Sequence, residues 1–207
     1  MKVEIIAELA QGFEGNLTQS KLLVKAAAKA GADAAKFQLV YADELATPDY
    51  EYYELFSSLE MSDADWLDIK KYCDELGIDL ILDVFGEIGV ALAEKLLIKT
   101  VKLHATDINN IGFLENLAGS TVDRIMLGAG GAFADEIENA IEILDKKKII
   151  LFHGFQGYPT SLNENQISRI DFWKSKFGHF SNVSFGFSDH ADPTNLSSVT
   201  LPVLAIG

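Results

Sequence analysis

The chain has 207 residues, 48% of them hydrophobic and 10% aromatic, with a net charge of −14 and one cysteine. That composition excludes a disordered polymer, and the length allows a sizeable core in one large domain or two small ones. The negative charge repels phosphate backbones and anionic lipid, so neither nucleic acid nor a membrane surface is expected as a partner, although a local pair of lysines still attracts a small anion at short range.

No apolar run approaches the about 20 residues needed to cross a bilayer. The opening MKVEIIAELA carries acids inside its apolar stretch and reads as a first strand, not a signal peptide. Cys73, alone, excludes an intrachain disulfide and fits a reducing compartment, so a cytoplasmic protein is expected.

In chain order, β-type runs alternate with amphipathic helical segments. VEIIAEL predicts a strand and LTQSKLLVKAAAKAG a helix that stops at Gly31. AAKFQLV is the second strand. Residues 41–60, rich in Tyr and Glu, form a connection longer than usual and hence a candidate active-site loop. SDADWLDIKKYCDELG is a helix capped by Ser62 or Asp63 and stopped by Gly77. Then follow DLILDVF, EIGVALAEKLL, TVKLHATD, IGFLENLAG, RIMLGAGG, ADEIENAIEILDKK, KIILFHG, ENQISRIDFWKSKF and VSFGFSDH, strand and helix by turns. NLSSVTLPVLAIG is a last helical segment, in which Pro202 is tolerated only at a kink or in the first turns. Seven βα units without a linker argue for a parallel sheet, and for an α/β fold of the (β/α)8 TIM-barrel type truncated after its seventh unit. A doubly wound open sheet is the alternative.

Alternation within the strands separates an apolar face from a polar one. Lys36 and Gln38 oppose Phe37 and Leu39; Lys102, His104 and Thr106 oppose Val101 and Leu103; Ser184, Ser188 and His190 oppose Phe185 and Phe187. A lysine in mid-strand among apolar neighbours requires a partner, because burying it unpaired is costly. Lys36 and Lys102 therefore form either structural ion pairs with Glu8 or Asp83, or an anion site in which two ammonium groups hold a phosphate or carboxylate. Glu8, Asp83 and Asp107 each end a strand and converge if a barrel closes. His190 is either a satisfied core histidine or, at a strand end beside Ser188 and Asp189, a metal ligand or catalytic group. His104 and His153 are weaker candidates, and His179 is read as solvated. The GAGG run at 128–131 lacks the spacing of a nucleotide-binding loop, and Cys73 reads as packing.

The segments IAELAQGFEGNL, AGADAAKFQLV, KLHATD, FHGFQGYPT and FGFSDHAD, in that order, resemble the sialic acid synthase family over essentially the whole chain. The most specific pieces are GADAAKFQ, GYPT and GFSDH. The resemblance implies a barrel followed by a small antifreeze-like domain, so that residues 1–207 would be an incomplete catalytic barrel without its eighth strand, from a longer protein that forms a homodimer. It implies condensation of phosphoenolpyruvate with an N-acetylated sugar aldehyde, assisted by divalent manganese or magnesium. Carried over by motif, Glu8, Lys36, Lys102 and His190 take catalytic roles, with the lysines facing phosphate and His190 binding the metal. Gln38, Asp83, Asp107, Gln156, Tyr158 and Ser188 fall at substrate-facing positions. The family threonine that contacts phosphate is Asp83 here, and Ala105 and Gly128–Gly131 replace further hydroxyl-bearing residues. Asp83 is accordingly expected to pair with Lys36 or Lys102. A metal-assisted aldolase or lyase acting on a carboxylate, and a non-catalytic carbohydrate-binding relative, are the alternative functions.

Overall fold

The computed structural model describes residues 3–155, 157–192, 194 and 200–206. It divides into two compact units, the first Met1–Lys102 with Ser120–Val122, the second Leu103–Gly119 with Asp123–Gly207.

The first unit runs β1 (Ile6–Ala10), α1 (Leu17–Ala30), β2 (Ala34–Gln38), α2 (Ala42–Leu45), α3 (Tyr53–Leu59), α4 (Asp63–Leu76), β3 (Asp79–Val84), α5 (Glu87–Lys95) and β4 (Thr100–Leu103), whose last residue falls in the second unit. β2 lies parallel between β1 and β3, with Glu8 opposite Lys36 and Gln38 opposite Asp83. Helix ends follow local chemistry. The Asn16 side chain accepts from the Gln19 amide at 3.0 Å to start α1, and Gly31 ends it in the left-handed region, φ 87°, which a residue with a Cβ adopts only with strain. Ser62 and Asp65 form a capping box that starts α4. Phe13, Phe37 and Trp66 pack edge to face with centroids 5.5–5.8 Å apart, tying β2 to α4.

The second unit begins with a 3-10 turn at Ala105–Asp107, then α6 (Ile111–Gly119), β5 (Arg124–Gly128), α7 (Ala134–Ile143), β6 (Lys148–His153), a 3-10 turn at Leu162–Glu164, α8 (Arg169–Phe177), β7 (Val183–Phe187) and α9 (Thr200–Ile206). β5, β6 and β7 are parallel and adjacent in chain order. Trp173 and Phe177 of α8 are buried and stacked at 5.7 Å. Pro202 stands in the first turn of α9, where its missing N–H costs no helical bond.

Strand neighbours follow chain order within each unit. A doubly wound sheet reverses order at a switch point, and neither unit does so. Three expectations need correction. The strand read in VSFGFSDH stops at Phe187, so Ser188 and His190 lie beyond its end and not on its polar face. Residues 41–60 are not an open loop: they hold α2 and α3, and the stretch closes on itself because the Glu60 carboxylate accepts the Ala42 amide at 2.7 Å and Tyr53 donates its hydroxyl to Asp43 at 2.6 Å. The strand read in TVKLHATD stops at Leu103, so His104 and Thr106 are not on it and Asp107 does not end it; the Asp107 amide instead donates back to the His104 carbonyl at 3.0 Å.

Candidate functional site

In the first unit, four charged side chains meet. Lys36 on β2 is 3% exposed, and by register its nearest β3 partner is Ile81, so Asp83 lies two residues on and on the same face. Its ammonium donates to Asp83 Oδ2 at 3.3 Å and pairs with Glu8. Lys102 donates to the same oxygen, Asp83 Oδ2, at 2.6 Å. Asp83 is fully enclosed, and its Oδ1 is buried without a hydrogen-bond partner among the described residues. A bulge after Glu8 shifts the β1–β2 register, and the Ala10 amide donates back to Glu8 Oε1 at 3.0 Å, which fixes the carboxylate beside Lys36. Two ammonium and two carboxylate groups cancel in formal charge. Gln38, half-buried at the end of β2, faces the same way as Lys36.

The same unit holds a second seated carboxylate. Glu44 of α2 accepts the Ile88 amide at 2.6 Å and the Gly89 amide at 3.4 Å, and so caps the N-terminus of α5. A side chain at Gly86 would collide with that carboxylate. Burial raises the Glu44 carboxyl above its ordinary range, and the two amide bonds act against that rise. Sequence reading missed Glu44, because nothing local to 41–60 signals a partner 44 residues away.

In the second unit, the GYPT and SDH segments are stitched together. The Thr160 amide donates to the His190 carbonyl at 2.7 Å, and Thr160 bridges Ala191 in parallel. This sets Tyr158, 80% exposed, edge-on to the His190 ring at 6.2 Å. His190 Nδ1 lies 2.6 Å from the Phe155 carbonyl oxygen and Nε2 lies 3.3 Å from Ser188 Oγ. A carbonyl only accepts, so Nδ1 carries the proton and the Nε2 lone pair of the neutral ring accepts from Ser188 or binds a ligand. His153, the last residue of β6, is buried and donates from Nε2 to the Asn165 carbonyl at 2.8 Å. Burial holds the His153 imidazole below its ordinary pKa; the Asn165 bond opposes that and Arg169 adds to it. Next to these residues Pro159, Thr160, Ser161, Leu162, Ala191 and Asp192 line an open cleft.

Against this geometry stand the likenesses to known proteins. Residues 23–205 match the NeuB family. An uncharacterized protein of Methanocaldococcus jannaschii is 33% identical over 189 residues, 90% of this chain and 55% of that protein. The chain belongs to the NeuB family.

Among other relatives of this NeuB chain, the N,N'-diacetyllegionaminic acid synthase of Legionella pneumophila is 26% identical over 98% of the chain and 60% of that enzyme. The sialic acid synthetase of Leptospira borgpetersenii superposes on the whole chain with a TM-score of 0.90 at 28% identity, over 70% of its own length. The NeuB chain thus has the strand–helix fold of a TIM-type barrel through seven units, and spans about half to two thirds of the curated relatives it matches. Of the residues singled out by sequence, Glu8, Lys36, Asp83 and Lys102 come together in the first unit, and Tyr158, Ser188 and His190 in the second. Asp107 lies in its 3-10 turn, where Thr106 donates to it at 3.3 Å. Gln156 lies outside the described residues. For a metal, His190 Nε2 fits as one ligand; no group of three His, Cys, Asp or Glu among the described residues could hold an ion, so they do not complete a metal centre.

Proposed function

We propose that the chain is the barrel part of a synthase that condenses phosphoenolpyruvate with an N-acetylated or related sugar aldehyde. The observation that carries this reading is the convergence of two ammonium groups, Lys36 and Lys102, on a single anionic oxygen in a NeuB-family chain. Relatives whose names state a sugar-acid synthase activity support it, including the Legionella and Leptospira enzymes.

In this reading the enol carbon of phosphoenolpyruvate bonds to the aldehyde carbon of the open-chain sugar, whose oxygen takes up a proton. Water then adds to the oxocarbenium-like centre and phosphate leaves. Lys36 and Lys102 face an anionic group of phosphoenolpyruvate, and Glu8, half-exposed beside Lys36, orients that ammonium and is in reach of solvent to move a proton. Gln38 and Asp107 are assigned to substrate hydroxyls. In the second unit Tyr158 and Ser188 are assigned to the sugar, and Gln156 is assigned to it by its motif alone. A divalent manganese or magnesium ion would bring Lewis-acid chemistry, with His190 as one of its ligands. The single buried cysteine and the lack of any membrane-length apolar helix among the described residues support a cytoplasmic setting, and the full-length protein is inferred to be a homodimer.

The test is release of inorganic phosphate from phosphoenolpyruvate against a panel of N-acetylated hexoses, with the chain in the context of its whole protein. Phosphate release that requires both substrates and is lost in Lys36→Ala supports the reading; release without a sugar, or none across the panel, refutes it. The zero formal charge of the lysine–carboxylate quartet favours one second reading, an aldolase or lyase acting on a carboxylate substrate. Cleavage of a hydroxy-acid without phosphoenolpyruvate distinguishes it.

A further inference from the structure

A buried carboxylate placed only to stabilise a fold usually has both of its oxygens satisfied. Asp83 does not: Oδ2 receives Lys36 at 3.3 Å and Lys102 at 2.6 Å, while Oδ1 is buried with no partner among the described residues. With Glu8 also paired to Lys36, the two positive charges are already cancelled by two negative ones. We propose that Asp83 is a specificity-determining residue, a built-in anion that occupies the seat between Lys36 and Lys102 and suppresses binding of doubly charged phosphate there.

The physical reason is the choice that an incoming dianion meets. With Asp83 in place, the ligand lies against a like charge in a poorly screened setting. With Asp83 pushed aside, an enclosed carboxylate loses both of its donors and has no other. Either course weakens phosphate binding. A singly charged carboxylate meets less repulsion and has access at Lys102, whose side chain keeps 14% of its exposure. Replacing Asp83 with a neutral hydroxyl leaves two lysines and one carboxylate, Glu8 beside Lys36, a net positive seat of the kind that holds phosphate. The inference goes beyond the synthase reading: it leaves the carboxylate of phosphoenolpyruvate, and not its phosphate, as the group that this seat would admit. Its test reads inorganic phosphate itself, so an absence of condensation activity would refute that reading while leaving this one to its own measurement.

Inorganic phosphate and acetate are titrated calorimetrically into the wild-type chain, Asp83→Thr, and Asp83→Thr combined with Lys102→Ala, at neutral pH and constant ionic strength. The wild type is expected to bind phosphate no more tightly than acetate. Asp83→Thr is expected to bind phosphate at least about tenfold more tightly than the wild type, and the added Lys102→Ala to abolish that gain. A folded Asp83→Thr with no gain overturns the proposal, as does a gain that survives Lys102→Ala, or a wild type that prefers phosphate to acetate by about tenfold. If Asp83→Thr does not fold in chloride buffer, circular dichroism in phosphate of equal ionic strength decides: recovery of the native spectrum supports the proposal, and no recovery overturns it.

Discussion

Cys73 lies fully buried in α4, and burial pushes its thiol up to about 12. The thiolate is the reactive form, so the native chain should ignore an aromatic disulfide reagent at mildly alkaline pH and react stoichiometrically once denatured. Rapid native labelling would contradict the packing of α4. His153 makes a second residue-scale prediction. Its imidazole titrates below the ordinary value of 6.5 in the folded chain because burial disfavours the charged form. In acid the unfolded chain therefore binds a proton that the folded chain does not. The stabilisation is present above 6.5 and is lost as pH falls toward the folded pKa. Denaturant unfolding from pH about 7 down to about 5 should give a falling stability, and His153→Gln should flatten part of that slope. An unchanged slope would place the acid sensitivity elsewhere.

Among the secondary elements, the 41–60 connection is held through Glu44. Its carboxylate takes the first free amides of α5, which joins α2 to the helix that follows β3. Glu44→Ala removes that cap and is expected to cost about 1 kcal/mol of stability. Hydrogen exchange should quicken at Ile88 and Gly89 and across α2, while α4, closed by its own Ser62–Asp65 box, stays protected. Equal loss of protection in α4 would mean that Glu44 supports the whole unit and not this junction. The conservative change Glu44→Gln keeps an acceptor and should retain most of the protection.

Taken as a whole molecule, a chain of charge −14 gathers divalent cations loosely on its surface, so binding is informative only at physiological ionic strength. His190 presents one lone pair, and no group of three ligand side chains accompanies it among the described residues. Manganese titrated into the 207-residue chain and followed by electron paramagnetic resonance is therefore expected to bind no more tightly than about 1 mM, with His190→Ala making little difference. Saturation in the micromolar range, abolished by His190→Ala, would reveal a complete ligand set around that imidazole.

Local chemistry wrote much of this into the sequence. The alternation of strand and helix, the stops at Gly31 and Gly77, the cap at Ser62 and the family motifs follow from side chains a few residues apart, whose preferences act without knowledge of the rest of the chain. The helices within 41–60 were not legible, because α2 and α3 are short and held by contacts such as Glu60 to Ala42. The open choice at Lys36, ion pair or anion seat, turned on Asp83, 47 residues away, and the register of β2 on β3 brought them together. The protonated nitrogen of His190 was set by the Phe155 carbonyl, 35 residues earlier. Sequence determined which residues could carry charge and a lone pair; tertiary structure decided what each of them faces, because hydrogen bonds and ion pairs act over a few ångströms and only strand register brings distant residues that close.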